Sequence, residues 1–253
     1  MGMSKSPRFS RLDIIFMVLP TLLVLAFCSI YFVSKDFYLE WVLERTMRER
    51  QAVEVFTFGC SMTGSFLTGL AALTFLKRRK TDNTWGAFLI AGAVSGAAFF
   101  FAAEEVSWGQ TWFGWETPEG MDSVETNLHN HQGMISVQML GSIFLIAVFF
   151  VVPLVWRFNV PVKAPRDWKE AVPEFPVILC LAAAFLVSEV KEVYRWFTPD
   201  FRTEPFYIEF IEQFNEYKEM LVGVTLLMYG VYRIRRARGL GREVRVDDDQ
   251  SAT

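Results

Sequence analysis

Residues 86–110 read GAFLIAGAVSGAAFFFAAEEVSWGQ. The apolar part, Gly86 to Ala103, is of the length needed to cross the hydrocarbon core of a bilayer as a helix, about 20 residues. It ends directly in the adjacent carboxylates of Glu104 and Glu105. A carboxylate beside hydrocarbon is costly unless it is paired, protonated or bound to a cation. This junction therefore indicates both a membrane helix and a candidate functional site.

The composition predicts several such helices. Of the 253 residues, 52% are hydrophobic and 16% aromatic, and the apolar residues come in blocks rather than in periodic stripes. This is typical of a polytopic membrane protein. Cys28, Cys60 and Cys180 lie in three different apolar runs without CxxC spacing, which predicts small buried side chains rather than a disulfide. The run from Leu12 to Val33 is too long for a signal-peptide core, so we expect a retained helix.

Six membrane spans are predicted from the apolar runs. They cover 12–33, 53–76, 86–103, 133–156, 174–197 and 210–232. We therefore expect an all-α integral membrane protein, a six-transmembrane-helix bundle that forms a single domain over 1–232. The remaining segment, 233–253, is basic and then acidic, and it is predicted to be a disordered cytoplasmic tail.

The distribution of Lys and Arg predicts the orientation of these spans. One side of the membrane carries 17 of the 25 basic residues, counted over both terminal segments and the loops at 77–80 and 157–169. By the positive-inside rule, both termini are cytoplasmic. The loop between the third and fourth spans has no Lys or Arg between 104 and 132, is rich in aromatic and acidic residues, and is expected to be extracytoplasmic. The same pattern assigns the basic tail to membrane anchoring and predicts no nucleic-acid binding.

Two spans carry small residues on what the sequence predicts to be packing faces. Gly92 and Gly96 form a GxxxG pair in the third span, and Gly59, Thr63 and Gly64 give the second span a small face. Such faces allow helices to approach closely, and we expect them to serve packing inside the bundle rather than dimerisation. Residues 35–51 alternate charged and apolar positions and are predicted to form a short amphipathic helix on the outer interface.

Polar residues from four predicted elements fall on the outer side of the membrane and form a candidate metal site. The candidate ligands are Glu105, Glu125, His129, Glu189 and Glu216. Glu125 and His129 stand four residues apart, which puts both side chains on one helix face. Carboxylates and imidazole are accepted by zinc, iron and manganese, so a divalent metal is the candidate cofactor. Three alternatives stay open: Glu125 also fits a helix cap, His129 also fits an interfacial, hydrogen-bonded loop, and Glu216 belongs to a stripe that also fits a solvated helix face.

The same loop supplies candidates for catalysis and for substrate binding. Glu104 and Glu105 are the candidate catalytic residues, with Glu104 as a general base or as support for the ligands. The candidate substrate-binding residues are Trp108, Gln110, Trp112 and Asn127. They lie where a loop over the site would meet a lipid at the interface. The tryptophans also fit an ordinary interfacial aromatic belt, and that alternative stays open.

Two strings in this loop, EEVSWGQ at 104–110 and ETNLHN at 125–130, are similar to the signature of a family of bacterial polytopic membrane proteins. The resemblance is strong in these strings and loose over the six-span layout. It implies a multi-pass protein of the bacterial inner membrane. It does not imply a reaction, because no activity is assigned to that family.

Three classes of function remain open from the sequence. The leading expectation is a metal-dependent enzyme that acts on a lipid or lipid-linked substrate at an outward-facing site. A proton- or cation-coupled transporter or channel would use the same carboxylates as relays. A non-catalytic assembly or sensor protein would use them to dock a partner, with a homo-oligomer or another membrane protein as candidates. The sequence has no P-loop, dinucleotide fingerprint, HExxH or Ser-His-Asp set, which argues against the enzymes that carry them.

Overall fold

The computed structural model describes residues 9–42, 52–80, 84–116, 141, 143–153 and 166–251, and these form helices joined by turns, with no strand among them. The helices are α1 (Arg11–Val33), α2 (Lys35–Phe37), α3 (Ala52–Arg78), α4 (Trp85–Glu105), α5 (Gln110–Phe113), α6 (Phe175–Phe197), α7 (Pro205–Glu209) and α8 (Phe214–Ser251). Residues 143–153 are also helical and contain a π turn at Ala147–Val151. The prediction of an all-α protein is confirmed for this part of the chain.

Three helices, α1, α3 and α4, are long and apolar enough to cross a membrane. Their mean hydropathy over 18 residues is 2.5, 1.3 and 1.9. Much of α1 is exposed, including large apolar side chains such as Leu22 and Leu25, as expected of a helix that faces lipid. Two further helices, α6 and α8, occupy the predicted fifth and sixth spans, and residues 143–153 fall within the fourth. The structure therefore indicates a membrane protein, while the count of six spans stays a prediction.

Local sequence signals account for several helix boundaries. Ser10 caps α1: its hydroxyl accepts from the backbone N–H of Asp13 (3.2 Å), and the Asp13 carboxylate accepts from the backbone N–H of Ser10 (2.7 Å). Thr84 precedes α4 and donates its hydroxyl to the carbonyl of Phe75 in α3 (2.6 Å), which fixes the hairpin between these helices. A proline in the first turn of α6, Pro176, suits the start of that helix.

The bundle is held together by a close approach of α3 and α8. A Cβ atom placed on Gly64 would lie 2.6 Å from the backbone carbonyl of Leu226, and one on Gly230 would lie 2.7 Å from the carbonyl oxygen of Gly64. Only glycine leaves room for such backbone contact. On the face of α3 that meets α8, buried residues follow one another at alternating steps of four and three, starting at Thr57 and continuing through Gly64 and beyond it. This is the spacing of a packed helix seam.

The predicted small faces differ from this seam. Gly64 is buried against α8, but Gly59 and Thr63 lie on the exposed side of α3. Gly92 and Gly96 have open space where a side chain would stand, so the described helices do not use the GxxxG pair for packing. Sequence spacing shows which residues share a face, but the choice of face depends on the partner helix, which the spacing alone does not give.

A second set of contacts anchors the segment after α1. Lys35 forms an ion pair with Glu209 (2.7 Å), and this hydrogen bond raises the pKa of the lysine. Tyr38 is fully buried, and its hydroxyl lies 2.8 Å from that of Tyr217 in α8. This segment therefore packs against α7 and α8 through Lys35 and Tyr38, rather than lying only on the interface as predicted. Residues 43–51 of the predicted helix lie outside the described residues.

The two ends of the bundle differ in their charged residues. The starts of α3 and α8 and the end of α4 form one end, which we call the acidic end. The start of α1, residues 170–174 and the part of α8 from Tyr232 to Gly239 form the other, which we call the basic end. In the structure α8 continues from Tyr232 to Ser251, where the sequence predicts a disordered tail. Arg233 and Arg236 tie the first turns of this extension to Glu174 and Glu170.

Candidate functional site

The acidic end is organised by an abrupt stop of α4 directly after Glu104 and Glu105. Ser107, Trp108 and Gly109 all have positive φ, at 45°, 57° and 88°. This region is unfavourable for side chains other than glycine, at a cost on the order of 1–3 kcal/mol for each non-glycine residue. The turn is closed by a hydrogen bond from the N–H of Gly109 to the carbonyl of Val106 (2.7 Å). Two strained residues in succession at the predicted site indicate that this turn serves to place the Trp108 side chain.

The strained turn folds Trp108 back onto the carboxylate of Glu104. The indole Nε1–H donates to Glu104 Oε1 at 2.5 Å, and the indole ring meets Phe100 edge-on at 5.4 Å between centroids. Glu104 is 6% exposed, so this bond satisfies part of a buried carboxylate. Trp108, predicted as a substrate-binding residue, is thus positioned by the structure as a donor to a predicted catalytic residue.

The residues after the turn form an aromatic cover beside the start of α3. Trp112 packs edge-on against Phe58 at 4.8 Å, and Phe113 stacks on Trp115 at 5.5 Å. Trp112, Phe113 and Trp115 form the cover and are substantially exposed, Phe113 at 74%. Exposed aromatic rings at the end of a membrane-length helix are typical of the lipid–water interface, which fits the predicted position of this loop. Gln110, the other predicted contact to substrate in the described part, is half-buried.

Around Glu105 the structure brings together carboxylates from three helices. The four strongest electrostatic partners of Glu105 are Glu219, Glu216, Glu54 and Glu104, all of them acidic. Glu104 and Glu105 come from the end of α4, Glu54 from the start of α3, and Glu216 and Glu219 from the start of α8. We call these five residues the carboxylate cluster. Like charges in partly buried surroundings repel strongly unless protons or cations neutralise them.

Two side chains beside the cluster contact its carboxylates. Glu219 has Lys218 at 3.9 Å, and both side chains are about a third exposed, so the attraction is weak. Glu104 has the neutral indole of Trp108. Carboxylates gathered around Glu105 from three helices are suited to a bound cation or to shared protons.

The structure brings some of the predicted ligands together and separates others. Glu105 and Glu216 both belong to the cluster, whereas Glu189 is exposed on α6, a helix that packs mainly on α8 and α1. Glu125, His129 and Asn127 lie outside the described residues. Glu54 was not among the predicted site residues. The signal for it was present, since it is an acidic residue at the second position of an apolar span.

The cluster has the donor chemistry of a cation site without a complete set of ligands in the described residues. Among these, no three His, Cys, Asp or Glu side chains lie in an arrangement that could hold a metal ion. Carboxylates suit hard cations such as Ca²⁺, Mg²⁺ or Mn²⁺, and an imidazole would extend the choice to zinc or iron. The residues present therefore fit part of a metal site, and the predicted contributions from positions 125 and 129 would have to supply the rest.

A row of small polar residues runs along α3 from the cluster into the bundle. Beyond Glu54 it contains the buried residues Thr57, Ser61, Ser65 and Thr68. Ser65 and Ser95 donate their hydroxyls to each other's backbone carbonyls at 2.8 and 2.9 Å. The hydroxyls of Ser61 and Thr68 are buried and have no hydrogen-bond partner in the described part of the chain. None of these residues was among the predicted site residues.

Comparison of the chain with protein-family models, with curated proteins and with solved structures finds no match. The resemblance of the 104–110 and 125–130 strings to a bacterial membrane-protein family thus remains a prediction, and the functional assignment depends on the carboxylate cluster.

Proposed function

We propose that this chain is a six-span protein of the bacterial inner membrane, with both termini in the cytoplasm and the acidic end facing outward. We further propose that the carboxylate cluster binds a divalent cation and that the protein acts there as an enzyme on a lipid or lipid-linked substrate. The observation that carries the proposal is the convergence of acidic side chains from α3, α4 and α8 around Glu105. Such a gathering at the end of an apolar helix is costly without a cation or protons.

The surroundings of the cluster support a substrate from the membrane. The cluster lies beside the exposed aromatic cover of Trp112, Phe113 and Trp115, at the predicted bilayer surface. A bound divalent cation supplies Lewis acidity to an ester or phosphate group. On this proposal Glu105, Glu216 and Glu54 would each contribute carboxylate oxygens to the cation, and Glu125 and His129 would be needed to complete its ligands, because the described residues alone do not form a complete site. Glu104, kept in place by Trp108, accepts a proton from the attacking water.

Elemental analysis of the detergent-purified protein tests the proposal. The wild type is expected to carry close to one equivalent of zinc, iron or manganese, and Glu105→Gln, Glu54→Gln and His129→Ala are each expected to lose it. Glu189→Gln is the matched control, because it removes an identical group that the structure places outside the cluster. Absence of metal in folded wild-type protein, even after dialysis against each ion, would overturn the metalloenzyme proposal.

The orientation has a test of its own. In a variant with Cys28, Cys60 and Cys180 replaced by alanine, single cysteines are introduced at Trp115 or at Gly239, both exposed positions at opposite ends of the bundle. A maleimide that does not cross membranes is expected to label position 115 in intact cells and position 239 only after permeabilisation. The opposite pattern would place the cluster in the cytoplasm and contradict an outward-facing site.

A proton- or cation-coupled transporter is the second candidate, and the polar row along α3 favours it. Ser61 and Thr68 leave buried hydroxyls without partners between the cluster and the interior of the bundle, as a path for protons or water requires. In proteoliposomes, this candidate predicts cation or proton flux that falls in Ser61→Ala and in Glu105→Gln. The enzyme proposal predicts that Ser61→Ala leaves both the metal content and the turnover of lipid unchanged.

A further inference from the structure

A polar cavity of about 450 Å³ lies at the basic end, remote from the carboxylate cluster. One wall is a single face of α8, formed by Tyr232, Arg235, Arg236 and Gly239. These positions follow the spacing i, i+3, i+4 and i+7, so they stack along one side of the helix. The facing wall consists of Ser10 at the start of α1 and of Glu170 and Glu174 before α6. The cavity thus joins three separate parts of the chain.

The open volume depends on Gly239. A Cβ atom on this residue would meet no other atom within 4 Å, so a side chain placed there would extend without a clash. Since residues 232, 235 and 236 carry long side chains on the same face, glycine at the fourth position leaves the space open.

Most charges around the cavity are already engaged by the protein. The fully buried guanidinium of Arg233 binds the Glu174 carboxylate and the backbone carbonyl of Glu170. The Glu170 carboxylate accepts from Arg236 at 2.6 and 3.4 Å. These pairs hold the two walls together and fix the shape of the cavity.

Arg235 differs from its neighbours. Its side chain is exposed and, among the described side chains, has no ion-pair partner within 4 Å; its charge acts on the more distant Asp13 carboxylate. That carboxylate accepts from the hydroxyl of Tyr232 (2.5 Å) and the N–H of Ser10 (2.7 Å). The cavity therefore offers one available guanidinium, that of Arg235, opposite the Glu170 and Glu174 carboxylates, whose oxygens retain lone pairs for a further donor beside their arginine partners.

Apolar side chains border this polar cavity. Phe9 and Phe175 precede or follow the lining residues Ser10 and Glu174 directly, are 49% and 57% exposed, and contact each other at 6.4 Å between ring centroids. Ile14, one turn into α1, is 53% exposed. The cavity opens where the apolar part of α1 begins and that of α8 ends, which on the predicted topology is the boundary between lipid tails and water.

We propose that this cavity binds the headgroup of a zwitterionic glycerophospholipid of the phosphatidylethanolamine class. Arg235 binds the lipid phosphate, the Glu170 and Glu174 carboxylates receive the ammonium group, and the acyl chains lie along Phe9, Phe175 and Ile14. A lining with two arginines and two glutamates is balanced in charge, so it favours a ligand that carries both charges over an anionic one. The apolar border favours a lipid over a free phosphate ester.

Native mass spectrometry of the full-length protein in detergent tests this inference, with phosphatidylethanolamine and phosphatidylglycerol of identical acyl chains as probes. Arg235→Gln removes the available guanidinium, and Gly239→Phe fills the cavity without touching an ion pair. Each is expected to weaken binding of phosphatidylethanolamine about tenfold, Arg235→Gln by the loss of one charge-assisted hydrogen bond and Gly239→Phe by excluding the headgroup from the cavity. Arg238→Gln is the matched control, since it removes the same charge from the same helix at an exposed position outside the cavity.

The outcomes separate the proposal from its alternatives. Unchanged binding in Arg238→Gln together with loss in both cavity variants supports it, provided that all variants melt within a few degrees of the wild type without lipid. Equal loss in all three variants, equal binding of phosphatidylglycerol, or displacement of the lipid by soluble phosphoethanolamine at similar concentration would overturn it. The first of these indicates general attraction to the basic helix, the second a lack of headgroup selection, and the third a site for a soluble phosphate ester.

Discussion

At the basic end of the bundle each described carboxylate of the cavity wall has a hydrogen-bonding cation, whereas at the acidic end the strongest electrostatic neighbours of Glu105 are other carboxylates. Glu174 faces the buried Arg233, and Glu170 faces Arg236. At the acidic end, three helices bring five acidic side chains together around Glu105.

On the proposed function, the two ends use charge differently. Ion pairs connect α8 to residues 170–174 at the basic end, and loss of one partner of such a pair is destabilising. In the carboxylate cluster like charges repel one another, and on the proposal a bound cation offsets that repulsion. The same chemical change, removal of one carboxylate charge, should therefore have opposite effects on stability at the two ends.

The largest expected effect concerns the glycine seam, the close contact between α3 and α8 that connects the two ends of the bundle. Gly230→Leu places a side chain where the backbone of Gly64 lies, 2.7 Å from the new Cβ, and should prevent α3 and α8 from docking. We expect it to abolish recovery of monodisperse protein by size-exclusion chromatography. Gly96→Leu, the same change in open space on α4, should be recovered like the wild type. Equal recovery of both variants would show that the seam is not where the structure places it.

The second-largest expected effect tests the Arg233–Glu174 ion pair at the basic end. Arg233→Met keeps an apolar stem over Tyr229 but leaves the Glu174 carboxylate without its buried partner. Because the remaining Glu174 carboxylate is partly exposed, loss of this partner should lower the free energy of unfolding by about 1–3 kcal/mol. Denaturant or thermal unfolding in detergent measures the change, with the exposed Arg238→Met as control. A cost no larger than that of the control would show that the Arg233–Glu174 pair does not stabilise the basic end.

A smaller effect tests the strained turn at the acidic end. Trp108→Phe retains an aromatic ring against Phe100 but removes the donor to Glu104, so it should lower the free energy of unfolding by about 1–2 kcal/mol. Trp112→Phe, in the exposed aromatic cover, should change it by less than about 0.5 kcal/mol. If the two variants were equivalent, the Trp108–Glu104 bond would have no role in positioning the carboxylate.

Much of the helical layout follows from the sequence, because long apolar runs specify helices at membrane length without reference to any partner. The predicted spans 12–33, 53–76 and 86–103 match α1, α3 and α4 to within two residues at each end. The sixth is less accurate: α8 begins at Phe214, since Pro205 starts the separate short helix α7 and a turn at Ile211–Gln213 follows it. Short helices interrupted by turns leave no hydropathy signal.

The candidate site was only partly predictable, because it depends on which helix faces meet. Two adjacent acids at the end of a span were sufficient to identify Glu104 and Glu105, and Glu216 was predicted from the position of its stripe. The contribution of Glu54 and the outward orientation of Glu189 depend on the rotation of α3 and α6 about their axes. That rotation is set by the glycine seam and by side-chain packing, neither of which a single sequence displays.

The most direct test compares Glu105→Gln with Glu174→Gln in one experiment, as thermal unfolding with and without Mn²⁺, Zn²⁺ or Ca²⁺. Without added cation, Glu105→Gln should raise the free energy of unfolding by about 1 kcal/mol through relief of repulsion, and Glu174→Gln should lower it. A cation should stabilise the wild type and Glu174→Gln but not Glu105→Gln. A wild type that does not respond to any of the ions, with Glu105→Gln destabilised like Glu174→Gln, would contradict a cation-binding carboxylate cluster.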